Sequence, residues 1–120
     1  MEIIQPLHTA ILVSHQERAE HFYGEVLGLT KVDRPFSFAG TWYQIGNFQI
    51  HLIVDSALEL KLNNAEKWGR NAHIALAVKD LDAAKAKLAA AGCPMQASAS
   101  GRAALFTQDP DGNVIELSAG

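Results

Sequence analysis

The chain contains itself twice, and this constrains its fold more than any other feature. LHTAILV at 7–13 and AHIALAV at 72–78 align without a gap, with His73 standing 65 positions after His8. The same offset of 65 carries FQIHLI at 48–53 onto NVIELS at 113–118, pairing Ile50 with Ile115, Leu52 with Leu117 and His51 with Glu116. One offset that aligns both ends of two half-chains points to a duplication, two repeats of roughly 55 residues each.

Both halves show the same order of elements. Residues 7–13 read as a strand, and SHQE at 14–17 has the capping-box pattern, with Ser14 as N-cap and Glu17 three positions on. The helix runs to about Val26 through Ala19, Phe22 and Tyr23, and Gly28 stops it. Strands follow at 29–34, 41–45 and 48–54, the last two joined by the two-residue turn Gly46-Asn47. In the second half, 72–78 is a strand, Asp80 caps a helix through about Ala91, and Gly92 ends it. Strands then fall near 94–98, 102–108 and 113–118, the last entered through the turn DPDGN. The expected fold class is α+β, two βαβββ modules forming a cupped mixed sheet. Module 1 spans 5–55, a polar linker 56–71, and module 2 72–118, all within one domain covering 1–120.

With 48% hydrophobic residues over 120 positions, the chain can bury a core without disulfides or metals as staples. Its 10 Lys and Arg against 13 Asp and Glu leave a net charge of -3 with neither sign clustered, which does not suggest nucleic acid or an anionic membrane as partner. The lone Cys93 rules out an internal disulfide and fits a reducing compartment. MEIIQPLHTAILV has no basic n-region, and no apolar run approaches a membrane span, so a cytoplasmic location is expected.

Side chains on a strand alternate between faces, so the polar interruptions can be placed. His8 shares a face with Ala10 and Leu12, and His73 with Ala75 and Ala77. The larger Ile11, Val13, Ile74, Leu76 and Val78 point the other way, toward the helices. Gln49, His51 and Ile53 share a face, as do Val114, Glu116 and Ser118. Four ionisable residues thus occupy two structural positions, the first and last strand of each repeat. If those strands are neighbours, His8 meets His51 and His73 meets Glu116. Three imidazoles and a carboxylate suit one divalent ion, zinc, iron, cobalt, nickel or manganese. A buried Glu116 without a partner would be costly, and a ligand role removes that objection. His15 and His21, on the helix, read as exposed structural residues.

LHTAILV, ERAEHFYGEVLGL (17–29), AHIALAV with DLDAAKAKLAAAG, and FTQDPDGNVIEL (106–117) together resemble the vicinal oxygen chelate superfamily. That superfamily includes glyoxalase I, methylmalonyl-CoA epimerase, fosfomycin resistance transferases, extradiol dioxygenases and bleomycin resistance proteins. The resemblance implies one divalent metal held by His8, His51, His73 and Glu116, and a homodimer in which the site is completed across subunits. Bleomycin-binding relatives lack that metal set. Glyoxalase I typically carries Glu, and the epimerase Gln, where this chain has His51.

The expected function is that of a metal-dependent glyoxalase-like enzyme. It binds a small substrate through two adjacent oxygens and performs lyase or isomerase chemistry through an enediolate-type intermediate. Glu116 is the first candidate base and His51 the second. Phe36, Trp42 and Tyr43, with Phe38 and Trp68, are candidates to line the substrate cavity, and Arg102 to meet a substrate anion. The alternatives are an Fe(II) extradiol-type dioxygenase and a small-molecule or drug-binding module without catalysis.

Overall fold

The backbone repeats as the sequence does. The computed structural model describes residues 1–120 and divides into two units, Met1–Leu58 and Glu59–Gly120, each built on its own four-stranded mixed sheet. The first unit contains β1 (His8–Val13), α1 (Gln16–Glu20), β2 (Thr30–Val32), β3 (Gly40–Ile45) and β4 (Phe48–Val54). α1 runs on as a π-helical stretch over His21–Val26. The second contains a 3₁₀ turn at Trp68–Arg70, then β5 (His73–Val78), α2 (Leu81–Ala90), β6 (Met95–Ala97), β7 (Ala104–Gln108) and β8 (Val114–Ala119).

The strand orders are β1-β4-β3-β2 and β5-β8-β7-β6. In each sheet the first and last strands are hydrogen-bonded neighbours running parallel, which the connecting helix makes possible, and the remaining pairs are antiparallel. The first core is built on Val13, Phe22, Tyr23, Tyr43, Ile50 and Leu52, the second on Leu88, Leu105, Ile115 and Leu117. Ile11, Ile74 and Leu76 are half-buried while His8, Ala10, His73, Ala75 and Ala77 are exposed, the division that alternation predicts.

The N-cap of α1 corrects the sequence reading. His15, not Ser14, caps the helix, because the backbone is still extended at His15 (φ -143°, ψ 114°) and its Nδ1 accepts from the Arg18 amide. Asp80 caps α2 as expected, accepting from the Ala83 amide.

α1 is fastened to its sheet by a polar network. Gln16 donates to the Gly40 carbonyl and to Thr41 Oγ1, Thr41 donates to Glu20 Oε2 at 2.8 Å, and Lys31 Nζ reaches the same oxygen at 2.9 Å. Burial pushes the Glu20 carboxyl up, but the hydrogen bonds from Lys31 and Thr41 outweigh it and leave the group below its ordinary value of 4.5. A lowered folded value means that stability is present above that ordinary value and is lost as pH falls through the folded one. Glu20→Gln is therefore expected to cost about 1 kcal/mol at neutral pH, discounted for partial exposure, and almost nothing at an acid pH below the folded value of the carboxyl. Urea unfolding of both proteins at the two pH values checks this, and a difference that persists in acid would contradict it.

Candidate active site

The four predicted ligands fall into two pairs, one in each unit. In the first sheet Ala10 lies opposite His51 and His8 opposite Gln49, so the two histidines sit diagonally on adjacent strands. Their rings stack at 4.0 Å with an 11° interplanar angle. Trp42, opposite His51 on β3, covers its other face at 3.8 Å and 6°. His51 is thus the middle of three stacked rings. Burial, then His8, then Arg34 hold its imidazole below the ordinary histidine value.

A chain of amides fixes the His51 tautomer. Gln44 Nε2 donates to the Gly46 carbonyl at 2.7 Å, so Gln44 Oε1 is the acceptor for Gln49 Nε2 at 2.6 Å. Gln49 then offers only its oxygen to His51 Nε2, 2.8 Å away, and that nitrogen must carry the proton. In the neutral ring Nδ1 is the bare nitrogen.

The second unit repeats the diagonal. Glu116 lies between Ala75 and Phe106, and His73 lies opposite Val114, two positions back on the same face. His73 Nε2 is 3.4 Å from Glu116 Oε1. His73 Nδ1 donates to the Asn71 carbonyl at 2.7 Å, so the neutral ring turns a bare Nε2 toward the carboxylate. Ser118 donates to Glu116 Oε2 at 2.9 Å, and Arg102 Nη2 stands 3.5 Å from Oε1. Glu116 is buried, while the Arg102 side chain is 58% exposed.

The cavity candidates divide. Trp42 faces His51, and Phe36 meets Trp42 edge-on at 5.7 Å. Tyr43 does not line that wall. It is buried in the core beside Tyr23, where burial and then Glu20 push its hydroxyl up to about 12. The reason is strand alternation itself, since adjacent residues 42 and 43 cannot share a face. Phe38 stacks on Phe36, and Trp68 Nε1 donates to the Ala65 carbonyl. Arg102 meets Glu116.

Asn71, Gln49, Ser118 and Phe106 were not assigned roles from the sequence. Ser118 was discoverable, because it shares a strand face with Glu116. Phe106 was hidden by a slip in the repeat. Trp42 opposes His51 and Phe106 opposes Glu116, but the two aromatics are 64 positions apart rather than 65, because the β7–β8 turn differs in length from the β3–β4 turn.

Neither unit brings together three or more His, Cys, Asp or Glu side chains able to hold a metal ion. The donor chemistry of the His73–Glu116 pair nevertheless fits a divalent cation. A bare imidazole nitrogen and a carboxylate oxygen face one another, and each residue is braced from behind by Asn71 or Ser118.

A family model described as the Glyoxalase/Bleomycin resistance protein/Dioxygenase superfamily matches residues 5–117. No curated protein matches the chain. Among solved structures, a protein assigned to the glyoxalase family from Bacillus anthracis is 27% identical with a TM-score of 0.78, covering 98% of this chain and 95% of that one. Lactoylglutathione lyase from Agrobacterium tumefaciens is 22% identical with a TM-score of 0.70, covering 97% and 93%. The fosfomycin resistance protein FosX from Listeria monocytogenes is 16% identical with a TM-score of 0.77, covering 99% and 93%. At such identities the last two speak for the fold alone. No helix is long and apolar enough to cross a membrane.

Proposed function

Because the chain belongs to the Glyoxalase/Bleomycin resistance protein/Dioxygenase superfamily, we propose that it is a divalent-metal-dependent lyase or isomerase acting on a small substrate through two adjacent oxygens. The observation that carries this reading is the His73–Glu116 pair on β5 and β8 of the second sheet. A buried carboxylate oxygen and a histidine nitrogen face one another at 3.4 Å, with Ser118 and Arg102 holding the carboxylate, a donor arrangement that a divalent cation between the two residues would satisfy. The proposed ligands are His73 and Glu116 together with His8 and His51, and a homodimer is the proposed assembly.

A divalent metal held by these residues would supply Lewis acidity to both substrate oxygens. The proton work falls to the chain. Glu116 is the proposed base, taking a proton from the carbon beside a carbonyl and returning it to the neighbouring carbon, so that the net change is an isomerisation. Ser118 and Arg102 hold the carboxylate during that exchange. His51 is the alternative proton acceptor, a role it takes only where it is not a metal ligand, since Nδ1 is its one bare nitrogen. It is neutral at physiological pH because its value is lowered, and Nδ1 is the nitrogen free to receive. Trp42 and His8, stacked on its two faces, restrict its movement to the plane of the ring.

Metal content of untagged protein, followed by assay with methylglyoxal and glutathione after loading nickel, cobalt, zinc or manganese, tests the reading. Stoichiometric metal with turnover is expected. Oxygen uptake with a catechol after anaerobic iron loading would transfer the site to dioxygenase chemistry. Saturable binding of small molecules with no turnover under any metal would make the chain a binding module.

A further inference from the structure

The second unit holds a cavity of about 490 Å³ whose walls include Lys67, Arg70, Ser98, Ser100, Arg102 and Phe106. We infer that this cavity binds an oxyanion carried by the substrate, a carboxylate or a phosphonate, next to the reacting end. That it opens toward the reaction rests on the roles given above to His73 and Glu116; that it binds an anion does not.

Charge is the first reason. Three cations, Lys67, Arg70 and Arg102, face the cavity against one carboxylate, Glu66, in a chain whose net charge is -3. The ion pairs of the structure include neither Lys67 nor Arg70, and neither side chain makes a hydrogen bond. Lys67 and Arg70, gathered in a recess without carboxylate partners, focus a positive potential there. Arg102 is also aimed. Its Nε donates to Ser100 Oγ at 3.0 Å, Ser100 and Ser98 share a hydrogen bond of 2.9 Å, and Nη2 lies 3.5 Å from Glu116. A guanidinium has five N–H donors, so most of this one is uncommitted. A planar fork of that kind matches the two oxygens of a carboxylate or phosphonate.

Construction is the second reason. Gly69 presses its backbone onto the ring of Phe106 so closely that an added Cβ would lie 2.5 Å from Cζ. The turn Trp68–Arg70 therefore rests on the cavity wall, with Arg70 as its last residue. Gln96 pins the turn from β6, its Oε1 accepting from the Trp68 amide at 2.9 Å and its Nε2 donating to the Glu66 carbonyl at 2.8 Å. The cations thus stand on a braced frame, which lowers the ordering cost of binding. The same Phe106 ring meets His73 edge-on at 5.5 Å, and Arg102 touches Glu116, so the cavity and the donor pair share a wall. The volume suits a small molecule with an anionic end, not a polymer.

Calorimetric titration of metal-free protein with benzoate, phenylphosphonate and neutral benzamide tests the inference. Both anions, or one of them, are expected to bind once per chain, at least about tenfold more tightly than benzamide, and more weakly as salt rises. Binding of benzoate alone assigns a carboxylate substrate and of phenylphosphonate alone a phosphonate. Arg70→Met and Arg102→Gln should each weaken the anion about tenfold, Arg70→Lys should restore part of the loss, and Arg18→Gln, on α1, should change nothing. Benzamide binding as tightly as the anions, or both arginine variants binding like wild type, would overturn the assignment. Because no metal is present, anion binding in a protein that takes up no metal would leave the cavity in place and remove only the proposed chemistry.

Discussion

Glu116→Gln is expected to lower divalent-metal affinity by at least about a hundredfold, equivalent to about 2.7 kcal/mol, and to abolish turnover. The substitution keeps the shape of the side chain and leaves an oxygen for Ser118 to donate to, so the second sheet should keep its fold. What it removes is the negative charge opposite His73 Nε2. His73→Ala should lose metal to a similar degree, and for the double variant the losses should not add, because either change alone already breaks the pair. Asn71 is a poor place for the same test, since it holds the His73 ring through its backbone carbonyl, which no substitution deletes. Metal stoichiometry by mass spectrometry, beside circular dichroism to confirm folding, gives the result. Full metal content in Glu116→Gln would return Glu116 to the role of a buried partner for Arg102.

The duplication was legible because it is written in strands, where one offset preserves both register and face. His8, His51, His73 and Glu116 could be placed on diagonals from the alternation of small and large neighbours, and the parallel pairing of β1 with β4 and β5 with β8 puts each pair together. Residues acting through loops were not legible. Asn71 and Arg70 belong to a segment with no periodicity to fix which way it faces, and the hydrogen bonds of Gln96 that position it span 28 and 30 residues. The Gln44–Gln49–His51 chain was half visible, since Gln49 shares the His51 face, but its direction depends on a turn carbonyl that no pattern reveals. Tyr43 was misplaced for the opposite reason. Its aromatic ring suits a cavity wall, but alternation at Trp42-Tyr43 turns Tyr43 into the core once Trp42 faces His51. The cap at Ser14 failed because the capping-box pattern was satisfied while the chain was still extended at His15.

Gly40→Ala should be the most damaging single methyl in the first unit, at about 3 kcal/mol and a fall of roughly 10 °C or more in Tm. A Cβ there would stand 2.3 Å from the Leu52 carbonyl oxygen and 3.3 Å from Arg34 Nη2. The first contact is backbone on the neighbouring strand, so no rotamer change relieves it and the β3–β4 ladder must open at Gly40–Ile53. The second falls on a guanidinium already tightly held. Arg34 Nη1 donates to the Phe38 carbonyl at 2.6 Å, its Cζ lies 4.7 Å from the centroid of the Phe38 ring, and Nε and Nη2 are buried without partners. Displacing it shifts the 34–39 loop, and with it Phe36, which abuts the Trp42 ring stacked on His51. Gly24→Ala is the matched control. Its Cβ would meet the Tyr43 hydroxyl at 3.4 Å, an ordinary contact on a helical residue, so it should stay within about 1 kcal/mol of wild type or gain stability. Thermal melts of the two variants, with the His51 ring resonances followed by NMR, separate the cases. If Gly40→Ala melts with wild type and leaves those resonances unmoved, the close approach of β3 to β4 is not what seats the aromatic stack.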